Sequence, residues 1–168
     1  MSNIFRKYHG KIVYLRPQNI LKVKRLNTIH FTAILVVILS GLALVALRLL
    51  LHIQPAVNPT LSYTADIIAI FASIGSILGG NALAKAATNN LLSQTDIVMK
   101  MNIFRVAFSK KMMLMGIGGF LCSVAYFVNG NNTALMLLGM LIIFMLVSKP
   151  AKFRIAETLE VAEEEIPE

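Results

Sequence analysis

Two long apolar runs constrain the fold of this 168-residue chain more than any other feature. The first extends over residues 31–51 and contains one charged side chain, Arg48, and the second extends over residues 61–83 and contains one, Asp66. A helix needs roughly 20 predominantly apolar residues to cross the hydrocarbon core of a bilayer. The chain is 57% hydrophobic and only 14% charged, which is too apolar for an ordinary soluble domain. Both runs therefore predict transmembrane helices.

Two shorter apolar runs predict a second pair of spans, over residues 112–128 and 133–147. They lie at or below the usual lower limit of about 17 residues. The flanking Lys110, Lys111 and Lys149 can extend along the apolar surface and keep their ammonium groups at the interface. The predicted fold is an all-α, polytopic integral membrane protein with four transmembrane helices in two hairpins.

The distribution of Lys and Arg predicts the orientation of the spans. Residues 52–60 and 129–132, which connect the helices of each predicted hairpin, carry no charged side chain. Fifteen of the sixteen Lys and Arg residues lie in the other connections and in the tails. Because basic residues collect on the cytoplasmic side, both termini are predicted to face the cytoplasm, with the chain in the cell (inner) membrane. The predicted regions are an N-terminal segment 1–28, a transmembrane domain 29–148 and a tail 149–168.

The first span is predicted to be a retained anchor. It is longer than the apolar part of a signal peptide, and no small-residue cleavage pattern follows it. Removal of the segment as a long leader is the alternative.

A separate amphipathic helix is predicted over residues about 94–109, between the two hairpins. Ser93 and Asp96 form a capping pattern, and Met101, Phe104 and Phe108 then share one helical face. Such a helix lies in the membrane interface or docks on a partner subunit. The periodicity does not distinguish these two alternatives.

Small residues at helix-packing spacing predict close contacts between spans. They favour close approach of helix backbones in lipid, either within the chain or between copies of it. The predicted packing residues are Ala72, Gly75, Ser76, Gly79, Gly80 and Ala84 in the second span, and Gly116 and Gly119 in the third.

Arg48 and Asp66 are the two ionisable groups inside predicted spans. They occur near the same end of consecutive antiparallel spans, so an intramembrane ion pair between them is predicted. Ionisable side chains within a membrane are costly and are candidates for function. The pair either fixes the hairpin or belongs to a proton or ion relay; no other acidic residue occurs in a span.

The two tails have opposite charge. The N-terminal tail is predicted to lie against anionic headgroups through Arg6, Lys7, Lys11, Arg16, Lys22, Lys24 and Arg25. The C-terminal tail is either a solvated acidic run or a docking surface for a partner, formed by Glu157, Glu160, Glu163, Glu164 and Glu165.

No motif in the sequence predicts catalysis. Cys122 is the only cysteine, and the chain contains no P-loop, HExxH, GxSxG or CxxC pattern. No enzyme activity, metal, cofactor or nucleic-acid partner is predicted. The predicted role is a small non-catalytic subunit of a larger membrane complex, such as a secretion or conjugation machine or a respiratory assembly, in contact with other subunits or with copies of itself. The alternatives are a small transporter or channel using Arg48 and Asp66, a holin-like pore former and a pilin-like assembly subunit.

Overall fold

The computed structural model describes residues 23–54, 58–91, 96–162, 164 and 166. Within these ranges the chain is all-helical, as predicted. Its five helices are α1 (Val23–Leu50), α2 (Pro59–Leu91), α3 (Ile97–Asn129), α4 (Asn132–Val147) and α5 (Lys152–Leu159).

The helix boundaries follow from local capping chemistry. α2 begins at a proline, whose missing N–H is not needed in the first turn, and Asn58 Oδ1 accepts from Thr60 N at 3.0 Å. Asp96 caps α3 by accepting from Val98 N, also at 3.0 Å. α3 ends at Gly130, whose φ of 69° lies in the left-handed region that glycine adopts without strain.

α1, α2 and α3 are each long and apolar enough to cross a membrane. α4 and α5 together form a fourth candidate span, bent by 76° between them. The described chain therefore has three to four candidate membrane-spanning helices, which is compatible with a multi-pass membrane protein. The outward faces of α1 and α2 carry large exposed apolar side chains, among them Leu35, Leu42, Phe71 and Leu78.

The described residues of the interfacial helix predicted over residues 94–109 do not form a separate helix, and residues 94–95 lie outside the described ranges. Residues 97–109 form the first part of α3, which continues through Lys110 and Lys111 to Asn129 without a break. The apolar face that predicted contact with lipid instead packs inside the protein. Met101 and Phe108 belong to the buried core together with Ile155 and Leu159 of α5.

The helices do not pack as two hairpins. α1 packs against α3 and α4, and the longest interface joins α2 to α3. α2 also packs against α4 and α5, whereas no more than marginal contact joins α1 to α2 in the described part of the chain. α1 and α2 therefore lie on opposite sides of the α3–α4 pair.

This arrangement gives the bundle two chemically different ends. The turn end contains the α3–α4 turn and the connection between α1 and α2. The basic end is where α1 begins, α2 ends, α3 begins and α4 is followed by α5. A core rich in methionine and leucine joins the two ends, and its fully buried members include Met112, Met115, Leu141 and Met145.

Candidate functional site

Arg48 binds the last turn of α3 at the turn end. It is only 6% exposed, and its Nη1 donates to the carbonyl oxygens of Tyr126, at 3.3 Å, and Phe127. The guanidinium carbon lies 5.7 Å from the centroid of the Tyr126 ring, within range of a cation–π interaction. The last four carbonyl groups of an α-helix have no partner inside the helix. Arg48 therefore caps α3 from the side of α1.

Asp66 binds the same turn from the side of α2. Its Oδ1 accepts from Asn129 Nδ2 at 2.5 Å, and its Oδ2 accepts from Asn131 Nδ2 at 2.9 Å. The two amide oxygens are also used: Asn129 Oδ1 accepts from Asn131 N at 2.8 Å, and Asn131 Oδ1 accepts from Thr133 N at 3.1 Å. Asp66 thus holds both the end of α3 and the first turn of α4.

In the structure Arg48 and Asp66 each bind the α3–α4 turn, and they do not form the predicted ion pair with each other. Both residues reach the turn end, as their positions indicated, but α1 and α2 are separated by α3 and α4. Each charge meets a complementary helix terminus. Arg48 lies at the negative end of the α3 dipole, and Asp66 lies beside the positive end of α4. We refer to Arg48, Asp66, Asn129 and Asn131 as the turn clamp.

Asn129 and Asn131 were absent from the predicted site. Their only sequence signal is the Asn-Gly-Asn-Asn composition of the turn, which is typical of any tight connection. Nothing in that pattern indicates a carboxylate partner on α2.

The small residues of α2 do not all face the same way. Ala72 and Ser76 lie against Gly118, where an added methyl would be 2.8 Å from the Ala72 carbonyl oxygen. Gly79 lies against Leu114 of α3. Gly75 is exposed, and an added methyl there would meet no other described atom within 4 Å. In the GxxxG pattern of α2, Gly75 therefore faces outward and Gly79 faces α3.

Gly116 and Gly119 of α3 pack against α1. An added methyl at Gly119 would lie 2.7 Å from Val37, and one at Gly116 would lie 3.9 Å from the same side chain. α3 thus has small residues toward both of its neighbours, with Gly118 facing α2 and Gly119 facing α1.

A pocket of about 320 Å³ opens at the basic end between α2, α3, α4 and α5. Four cationic side chains line it, one each from α2, α3, the α4–α5 connection and α5: Lys85, Lys111, Lys149 and Arg154. Its apolar walls include Phe104, Phe108 and Phe144. We refer to it as the basic pocket. Ala84, predicted as a packing residue, also lines it, and Gly80 contacts the aliphatic stem of Lys111.

His30 is buried behind the basic pocket. It is 1% exposed, its Nε2 lies 2.8 Å from the Met145 carbonyl oxygen, and its ring lies 6.2 Å from that of Phe108. Since a carbonyl oxygen only accepts, Nε2 carries the proton and caps the last turn of α4. Its Nδ1 has no hydrogen-bond partner among the described residues. His30 was missed because an isolated histidine at the start of an apolar run has no distinctive spacing.

The predicted surface residues lie partly outside the described ranges. Arg6, Lys7, Lys11, Arg16 and Lys22 are outside them, as are Glu163 and Glu165. Lys24 and Arg25 are exposed on the first turn of α1, and Glu157, Glu160 and Glu164 are exposed at the C-terminal end. No group of three or more His, Cys, Asp or Glu residues in the described ranges is arranged to bind a metal.

No protein-family model, curated protein or solved structure matches the chain.

Proposed function

We propose that the chain is a multi-pass protein of the cell membrane and acts as a non-catalytic subunit of a larger membrane complex. The membrane location is supported by the length of α1, α2 and α3 and by the apolar side chains on their outward faces. The basic end is the cytoplasmic end in this proposal. It contains ten of the eleven described Lys and Arg residues, all except Arg48.

The observation that carries the subunit proposal is the outward direction of Gly75. Glycine in a helix interior costs about 1 kcal/mol relative to alanine, so its presence needs a reason. Inside the chain Gly75 contacts nothing that requires a missing side chain. Phe71 and Leu78, one turn before and after it on α2, are 73% and 64% exposed, so Gly75 lies between two large exposed apolar side chains. In lipid, such small positions allow a second helix to approach closely.

Co-purification from a mild detergent tests this proposal. The full chain is expected to retain another membrane subunit, or a second copy of itself, in a form that chemical cross-linking captures. Gly75→Leu is expected to remove that partner without lowering the helical content or the thermal stability of the chain.

The matched control is Ala43→Leu, which adds bulk at an exposed position of α1. It is expected to leave the partner bound. A chain that is monomeric in the membrane before any substitution, or a partner that survives Gly75→Leu, would contradict the proposal.

A transporter or channel that uses Arg48 and Asp66 has less support. Both carboxylate oxygens of Asp66 accept hydrogen bonds from the turn, and Arg48 is committed to the end of α3. The hydrogen bonds of the turn clamp support a structural role, in which Arg48 and Asp66 hold α1 and α2 to the α3–α4 turn. No observation favours the holin-like or pilin-like alternatives.

A further inference from the structure

The basic pocket is lined by positively charged side chains, with no acidic side chain among its described lining residues to balance them. Among its described lining residues there is no Asp or Glu, whereas Lys85, Lys111, Lys149 and Arg154 contribute four positive charges. Lys111 and Arg154 are close enough to repel each other electrostatically. Like charges gathered in a cleft with apolar walls attract an anion and are stabilised by it.

The cations, and not the neighbouring hydroxyl groups, are available to bind such an anion. Thr88, Ser148 and Thr158 line the pocket, but each donates its hydroxyl hydrogen to the carbonyl four residues earlier in its own helix. Arg154 uses Nη1 for the Val147 carbonyl, at 2.9 Å, and a guanidinium has five N–H groups in all. Lys85 and Lys111 have no acceptor among the described residues.

The packing of α2 against α3 leaves room for the side chain of Lys111. An added methyl at Gly80 would lie 3.2 Å from Lys111 Cγ, which is closer than a comfortable contact. The absent side chain at Gly80 thus lets the stem of Lys111 cross α2 on its way to the pocket. Gly80 therefore leaves room for the Lys111 side chain and also lets α2 and α3 approach each other closely.

The pocket lies at the depth of lipid phosphates if the turn end is at the opposite interface. Lys111 is 18 residues before Asn129 on α3, which corresponds to about 27 Å along the helix axis. Lys149 is similarly separated from the start of α4, by about 25 Å. Because the hydrocarbon core is about 30 Å thick, Lys111 and Lys149 reach the headgroup layer. Phe144 is 12 residues, or about 18 Å, from the start of α4 and remains beside acyl chains, whereas Phe104 and Phe108 lie beyond Lys111 on the side away from the turn end.

We propose that the basic pocket binds a phosphate group, and that this phosphate is carried by an anionic lipid of the leaflet at the basic end. The phosphate contacts Lys85, Lys111, Lys149 and Arg154, and the first part of the acyl chain lies along Phe144. A soluble phosphorylated molecule has the same recognition chemistry and is distinguished by the test. The inference rests on the membrane location proposed above and requires no protein partner.

Native mass spectrometry of the full chain in a non-ionic detergent measures this binding. Dioleoyl phosphatidic acid is titrated in parallel with dioleoyl phosphatidylcholine, whose headgroup has no net charge. The chain is expected to bind phosphatidic acid more tightly, and Lys111→Gln is expected to weaken that binding about fivefold. The matched control is Lys110→Gln, which removes the same charge from an exposed neighbour outside the pocket.

A second variant, Lys85→Gln, guards against a folding defect caused by Lys111→Gln, because Lys85 is exposed on α2. It is expected to weaken phosphatidic acid binding as well. Equal losses in Lys110→Gln and in the two pocket variants would overturn the proposal, because they would show general attraction to a basic surface. So would equal binding of the two lipids.

Inorganic phosphate separates the two sources of the ligand. If a lipid is the ligand, millimolar phosphate leaves the bound phosphatidic acid in place and does not raise the melting temperature of the chain. Displacement of the lipid by phosphate, with a rise in melting temperature that Lys111→Gln abolishes, would overturn the assignment to a lipid and identify a soluble phosphorylated ligand.

Discussion

Arg48 and Asp66 hold the same turn from opposite sides of the bundle without forming an ion pair. Arg48 donates to the carbonyl groups of Tyr126 and Phe127 at the end of α3, and Asp66 accepts from Asn129 and Asn131 across the turn. Each charge replaces hydrogen bonds to water that a turn near the membrane surface would otherwise require. α1 and α2, which do not pack against each other, are therefore both bound to the α3–α4 turn.

Exchanging the two charges is expected to destabilise the protein further, not to rescue it. In Arg48→Asp with Asp66→Arg, a carboxylate faces the carbonyl groups of α3 and a guanidinium faces the amide hydrogens of the two asparagines. Each single substitution is expected to cost about 1.5–3 kcal/mol, the usual value for hydrogen bonds to a charged group. The measurement is the free energy of unfolding in a titration with a denaturing detergent. Recovery of wild-type stability in the exchanged protein would show that the two residues do pair.

Gly130→Ala is expected to lower stability, and Gly139→Ala is the control. At Gly130 the left-handed φ of 69° strains any residue with a side chain, and the new methyl would lie 2.8 Å from Arg48 Cζ. We expect a cost of about 1–3 kcal/mol. Gly139 lies inside α4 and has no other described atom within 4 Å of an added methyl, so alanine there is expected to be neutral or to stabilise by up to about 1 kcal/mol. Thermal unfolding of both variants in detergent makes the comparison.

Gly118→Ala is expected to separate α2 from α3. The added methyl would lie 2.8 Å from the Ala72 carbonyl oxygen, which is backbone and cannot rotate away. Overpacking of this kind costs about 1–3 kcal/mol. Cross-linking between cysteines introduced at facing positions of the two helices would report the separation. An unchanged cross-linking yield and unchanged stability would show that the interface is looser than the structure indicates.

The continuity of α3 is expected to give a long distance between residues 99 and 117. Met99 and Ile117 are both half exposed, which suits spin labels attached to cysteine in a Cys122→Ala background. Eighteen residues of uninterrupted helix place the two positions about 27 Å apart along the axis. A right-angled break near Lys110, as a separate interfacial helix requires, would reduce that separation to about 20 Å. Pulsed electron paramagnetic resonance measures the distance in lipid nanodiscs.

Apolar periodicity and run length predicted the helical class and the regions that contain long apolar helices. These properties follow from the local sequence, because the length and spacing of the apolar residues in one segment determine whether that segment forms a long apolar helix. The prediction failed where a charged segment interrupts the apolar pattern without interrupting the helix. Lys110 and Lys111 marked a boundary of hydropathy, but their backbone continues the hydrogen bonding of α3.

Apolar periodicity and run length did not predict which helices pack against each other. A short connection between α1 and α2 suggested that they pack together, yet α3 and α4 occupy the space between them. The basic pocket illustrates the same difficulty, since Lys85, Lys111 and Lys149 belong to separate elements and form no local motif. Only the three-dimensional arrangement brings them together.

The separation of α1 from α2 also determines the order in which this protein acquires its structure. Every substantial tertiary contact of α1 and α2 in the described chain is made with α3, α4 or α5. The described residues 23–54 and 58–91, once synthesised, consequently form two helices with no substantial interface between them. Arg48 and Asp66 find their partners only after residues 126–131 have been made, so neither contact of the turn clamp can form before the α3–α4 turn does.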